Sequence, residues 1–218
     1  MVQMFKLLEK YGDVFLSGLF GTLWISVVTV LLGTLLGMLI ALLKMGKPRI
    51  LRIIAEIYVE VLRGTPALLQ LYFFWIGLPK IFPNIKDVES IVVALVINAS
   101  AYICEIIRAG IGAVDKGQWE AARSLGLSPF HVMTRVILPQ AVKNILPALC
   151  NEFITTIKGT SLASVFFVGE LMTSYKTVQS VTFLALQSLT IVGIIYFILN
   201  FALSRLLKLL ERRLTLSD

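Results

Sequence analysis

Three short runs of polar residues interrupt otherwise apolar stretches of this 218-residue chain, and their spacing is helical. Asn98, Tyr102 and Glu105 stand at i, i+4 and i+7, which places them on one face of a helix. Asn151, Thr155 and Lys158 repeat that spacing, with Glu152 at the flank and Ser161 just beyond. Glu56, Glu60 and Arg63 do so once more. Lys158 could meet a carboxylate, while Glu105 and Glu152 could accept from an ammonium or guanidinium group. Three such stripes on three helices predict the lining of one hydrated cavity able to hold a charged or zwitterionic solute. Glu56, Glu60 and Arg63 are read first as intrahelical pairs. Glu105 and Arg108, three residues apart, read as a gate or a structural pair. Gly159 either lets its helix unwind toward a ligand or makes a packing contact.

The elements that carry these stripes are membrane spans. The chain is 57% hydrophobic and 15% charged, with a mean hydropathy of +0.87, against roughly 25% charged residues in a soluble domain. Val14 to Leu43 contains no charged residue, and about 20 apolar residues suffice to cross the hydrocarbon core. Further spans are predicted at 53–78, 90–107, 141–167 and 181–207. Residues 1–13 mix apolar and charged side chains and predict an interfacial amphipathic helix, and residues 168–180 read as a polar external segment. Gly33 and Gly37 permit close helix contact. The expected fold is therefore an all-α integral membrane protein of five transmembrane helices in one domain, 1–218.

Ionisable residues at membrane depth are costly and mark cavities or partners, so the stripes weigh as function. The net charge of +7 raises the question of nucleic acid, but its distribution answers it. Thirteen lysines and arginines fall in 44–52, 108–143 and 205–213, against five elsewhere outside the spans (Lys6, Lys10, Lys80, Lys86 and Lys176). That excess predicts an N-terminus outside and a C-terminus in the cytoplasm. The charge is topological, and no nucleic-acid partner is expected. Cys104 and Cys150 read as small hydrophobes, and His131 is the one histidine, so no metal site is expected. No phosphate-binding Gly-x-x-x-x-Gly-Lys-Ser/Thr loop and no nucleophile elbow occur. The chain is not expected to be an enzyme. If it moves a solute actively, the energy must come from another subunit.

Residues 117–140, GQWEAARSLGLSPFHVMTRVILPQ, lie between spans yet are too polar for lipid. Glu120-Ala121-Ala122 begins a short helical run and Gly126 suits the residue after its end. Ser128-Pro129 reads as an N-cap and first residue of a second short helix. The pair forms a knob suited to a socket on another protein.

The pattern Glu120-Ala121-Ala122, Gly126, Val136, Leu138-Pro139 resembles the cytoplasmic coupling loop of ATP-binding-cassette (ABC) importer permeases. Arg63-Gly64-Thr65-Pro66, Gly77-Leu78-Pro79, Ala101-Tyr102, Glu105 to Ile111, and Lys158 to Leu162 are similar to signatures of the polar amino-acid permeases among them. Gly159 departs from a position where members often carry Asp. The resemblance implies a type I importer in a bacterial plasma membrane, with the coupling contact at Glu120, Ala121, Ala122, Gly126, Leu138 and Pro139. It implies a separate ATP-binding subunit holding ATP and Mg, with no cofactor in this chain. It also implies a second permease subunit, with a homodimer favoured over a sister chain, and an extracytoplasmic amino-acid-binding protein. The implied substrate is a polar or basic amino acid (arginine, histidine, lysine or glutamine) held by Asn98, Tyr102, Glu105, Asn151, Glu152, Thr155, Lys158 and Ser161, with Lys158 on the α-carboxylate. The alternatives are a membrane scaffold or sensor with structural polar stripes, and a self-sufficient carrier, which the absence of an inverted repeat disfavours.

Overall fold

A computed structural model describes residues 2–215, all of whose long elements are helices. The first, α1 (Val2–Met45), carries non-helical dihedrals at Tyr11. The expected interfacial segment 1–13 is thus not a separate element from residue 2 on. It runs into the first span across the Tyr11 break, because Leu7 and Phe15 are buried with Leu171, Val178, Ile191 and Val192 of later helices.

The predicted second span is not one helix. It divides into α2 (Arg49–Gly64) and α3 (Ala67–Ile81), bent by 110°. Pro66 causes the break: it has no N–H to donate, and it drives the preceding Thr65 into the extended region, at φ −117° and ψ 148°. The 16 and 15 residues of the two pieces each fall short of the roughly 20 needed to cross a bilayer alone.

The helix α4 (Asp87–Gly112) is central and packs against α1, α2, α3 and α7. Its approach to α1 depends on the two glycines noted in the sequence. A Cβ on Gly37 would lie 2.8 Å from the Ser100 carbonyl oxygen, and one on Gly33 would lie 3.3 Å from Ala99 Cβ. The small-residue pair therefore serves a contact within this chain.

Next come α5 (Lys116–Ser124), α6 (Pro129–His131), a π-helical turn (Val132–Ile137) and α7 (Leu138–Gly159). A 3₁₀ segment (Thr160–Phe166) follows, and then α8 (Leu171–Thr182) and α9 (Ala185–Thr215). The segment read as an external polar stretch, 168–180, is thus mostly helix. Glu170, fully buried, caps α8 by accepting from the N–H groups of Met172 at 2.8 Å and Thr173 at 2.7 Å. Burial pushes its carboxyl above the ordinary range, and those two bonds draw it back.

Among the described residues, α1, α4 and the 185–209 part of α9 are long and apolar enough to cross a membrane, and the bent α2–α3 pair makes at most a fourth such span. The remaining predicted span, α7, has 22 residues but carries Lys143, Glu152 and Lys158. The five expected spans thus include one that is broken and one that is polar. Met1 and residues 216–218, the end of the charged tail, lie outside the described residues.

Candidate functional site

Two adjoining cavities open where α4 faces α7. The first, about 260 Å³, is lined by Asn98 and Tyr102 of α4, by Glu152, Thr155, Thr156 and Gly159 of α7, and by Thr29 of α1. This is close to the lower end of small-molecule sites, roughly 300–1,000 Å³. The second, about 450 Å³, lies toward the Gly112 end of α4. It shares Tyr102 and Glu152 with the first and adds Glu105, Asn151, Arg63 and Arg108.

The α4 stripe is as its spacing predicts: Asn98 faces the first cavity, Glu105 the second, and Tyr102 both. The α7 stripe is rotated from the expected one. Glu152, Thr155 and Gly159 line the first cavity, while Lys158 and Ser161 line neither. Lys158 is exposed. Ser161 Oγ donates back to the Lys158 carbonyl at 2.7 Å, and Thr155 Oγ1 does the same to Asn151 at 3.1 Å.

The acids in the two cavities differ in their surroundings. Glu105 is engaged: Lys44 Nζ donates to it at 2.6 Å and Arg108 at 2.9 and 3.1 Å, with Arg63 Nη1 3.8 Å away. Its side chain is 17% exposed. The expected pairing of Arg63 with Glu56 and Glu60 is absent among the described ion pairs. Arg63 instead leans toward Glu105 and lies over the Tyr102 ring at 5.6 Å from the centroid. Glu152 is half-buried, and no hydrogen bond or ion pair from the described residues reaches it. A carboxyl so placed, beside an amide and several hydroxyls, can receive an ammonium or guanidinium group.

The polar segment 117–140 folds as the two-helix knob its sequence predicts. Asp115 caps α5 through Gly117 N at 2.6 Å, and Ser128 caps α6 through His131 N at 3.4 Å. Gly126 sits between them at φ +77°, a conformation glycine adopts without penalty. Glu120, Ala121, Gly126 and Pro139 are exposed, and Leu138 is 40% exposed. Ala122 instead points inward, in one core cluster with Val114, Val132 and Ile137. It anchors the knob while its neighbours face out. Leu125 and Phe130, exposed at 82% and 72%, add an apolar surface that the motif reading did not single out.

Other residues the sequence reading missed are Thr29, Thr156, Lys44 and Gln70. Gln70 carried the clearest signal, as the lone polar residue in the apolar run Ala67-Leu68-Leu69-Gln70-Leu71-Tyr72-Phe73. It is 6% exposed and fully hydrogen-bonded, with its side-chain oxygen accepting from Asn98 Nδ2 at 2.9 Å.

Comparison with known proteins matches this geometry to an established class. Residues 33–216 match the model of the family described as binding-protein-dependent transport system inner membrane component. The arginine transport system permease protein ArtQ of Bacillus subtilis is 42% identical over 204 residues, covering 93% of each chain. The putative glutamine transport system permease protein GlnP of Rickettsia bellii is 37% identical, covering 98% of this chain and 100% of that one. A chain from the crystal structure of an amino acid ABC transporter with histidines superposes with a TM-score of 0.91 at 46% identity, covering 94% of this chain and 96% of that one. A methionine ABC transporter in an inward-facing form shares the fold at a TM-score of 0.71 and 19% identity. By family match, by relatives along nearly its full length and by fold, this chain belongs to the binding-protein-dependent transport system inner membrane components.

Proposed function

We propose that the chain forms the translocation path for a polar or basic amino acid, as the membrane-embedded permease subunit of an ABC amino-acid importer. It is not itself an enzyme, and ATP is hydrolysed by a separate subunit. The observation that carries the substrate class is Glu152: an acid with no protein partner among the described residues, in a small, mostly apolar cavity whose few polar groups include Asn98 and three threonines. Arginine, histidine, lysine and glutamine all offer nitrogen donors to such a wall. The relatives named for arginine and glutamine transport support the same range.

The finer features belong to the same proposal. The subunit works as a type I importer in a bacterial plasma membrane, crossing it five times with the N-terminus outside and residues 117–140 in the cytoplasm. It pairs with a second copy of itself and receives its substrate from an extracytoplasmic binding protein. The partner ATPase, with its ATP and Mg, docks on the exposed Glu120, Ala121, Gly126, Leu138 and Pro139. Ala122 is the buried root of that knob. Closure of the ATPase pair moves the knob, and α7, continuous with it through the π-helical turn, carries the motion to Glu152. The two cavities then form successive rooms of an alternating-access path. Lys158 lies outside both within one chain, so its contact with a substrate carboxylate is made from the face turned to the second permease.

The test is uptake by vesicles containing the chain, its ATPase and its binding protein. Amino-acid uptake that needs ATP and falls at least tenfold in Glu152→Ala supports the proposal. Uptake driven by an ion gradient alone, or no uptake at all, would point to a carrier or a scaffold instead.

A further inference from the structure

Gln70 is the fourth residue of α3, just past the break that Pro66 makes. In an unbroken helix the Leu62 carbonyl would accept from the N–H of residue 66, but residue 66 is proline and has none. Gln70 takes that role. Its Nε2 lies 2.8 Å from Leu62 O, 2.7 Å from Thr65 Oγ1 and 3.2 Å from Thr65 O. The Thr65 hydroxyl donates its own hydrogen to Val61 O at 2.8 Å, leaving only lone pairs for Gln70. Three acceptors thus converge on one end of the Gln70 amide. Only the amino end fits there, because a flipped amide would set an oxygen against the Leu62 carbonyl.

The consequence runs one step further. With its amino group fixed on the break, Gln70 turns its oxygen to Asn98, and Asn98 answers with Nδ2 at 2.9 Å. That bond takes one of the two Asn98 Nδ2 hydrogens and fixes the sense of the amide, so that Oδ1, with no hydrogen bond from the described residues, is held as an acceptor. Asn98 and Glu152 line the same cavity, so its wall offers acceptors from both α4 and α7.

We infer that Gln70 is a positioning residue which, by capping the Pro66 break, locks Asn98 with its oxygen toward the cavity and so makes the site select cationic amino-acid side chains over neutral isosteres. This rests on the reading of the first cavity as the substrate site. It deepens that reading by assigning a cause of charge selectivity outside the cavity wall.

The experiment compares arginine with citrulline, which replaces the guanidinium by a neutral urea of nearly the same shape. Competition against labelled arginine is measured on the purified complex with its ATPase, for the wild type, Gln70→Met, Thr65→Val and Asn98→Ala. Gln70→Met keeps the volume but frees Asn98 to flip. Its preference for arginine over citrulline should fall about tenfold, the order expected for losing one hydrogen bond to a charged group. Thr65→Val removes one of the acceptors that hold Gln70, and its ratio should fall in the same direction. Thr65→Val decides the matter if Gln70→Met fails to assemble. An unchanged ratio, including equal weakening of both ligands, would overturn the inference and leave Gln70 as a packing residue. The Asn98→Ala arm tests the site itself: wild-type binding of both ligands there would remove the cavity from recognition, whatever Gln70 does.

Discussion

Lys44 Nζ donates a 2.6 Å hydrogen bond to Glu105 Oε1, joining the end of α1 to the C-terminal third of α4 across 61 residues of sequence. Glu105 also holds Arg108 and stands 3.8 Å from Arg63. Its loss therefore leaves three cations together, whereas loss of Lys44 leaves Glu105 still paired. Glu105→Ala should cost about 2–3 kcal/mol, below the range for a fully buried pair because Glu105 keeps 17% exposure and the two arginines nearly half. Lys44→Ala should cost about 1–2 kcal/mol, between a surface pair and a buried one. Thermal unfolding of the purified complex measures both, and equal midpoints for the two variants would mean that the cluster does not act as described.

Gly159 lines the first cavity, and a Cβ built on it meets nothing within 4 Å. Gly159→Asp should therefore be accepted without steric cost and place a second carboxylate near Glu152. Dibasic amino acids should bind about tenfold more tightly relative to glutamine. Calorimetry on the purified complex reads the ratio, and a variant with unchanged preference would show that the cavity does not sense substrate charge.

Lys158 is exposed and lines neither cavity. If it meets the substrate carboxylate from the face shared with a second permease, Lys158→Ala should raise the KM for uptake severalfold while the two permeases still co-purify. An unaltered KM would return Lys158 to the role of an ordinary solvated cation.

Glu120 is exposed on the first helix of the 117–140 knob, beside the buried Ala122. Glu120→Lys should leave folding within about 0.5 kcal/mol of the wild type, as for most surface changes. Uptake per ATP hydrolysed should drop at least tenfold. Undiminished stoichiometry in reconstituted vesicles would remove this residue from the transmission of ATPase motion.

Much of this was legible in the residues themselves. The α4 stripe is readable because Asn98, Tyr102 and Glu105 fix one face of a long uninterrupted helix. The knob at 117–140 is readable because Ser128, Pro129 and Gly126 act through local backbone chemistry. The α7 stripe was displaced because Asn151 and Glu152 are neighbours, and periodicity alone does not say how a helix is rolled against its partner. The Gly64-Thr65-Pro66 break was visible, but hydropathy averages over it, so one span was expected where two short helices form. Gln70 and Lys44 act only through folded geometry: one needs the orphaned Leu62 carbonyl, the other a residue 61 positions away.

The central claim is that ATP hydrolysed outside this chain moves an amino acid past Glu152. Its most direct measurement is labelled-arginine uptake into vesicles holding the complete complex, comparing Glu152→Gln with the wild type at saturating ATP and binding protein. The account predicts uptake at least tenfold below wild type, with subunit assembly intact. Wild-type uptake by that variant would contradict it.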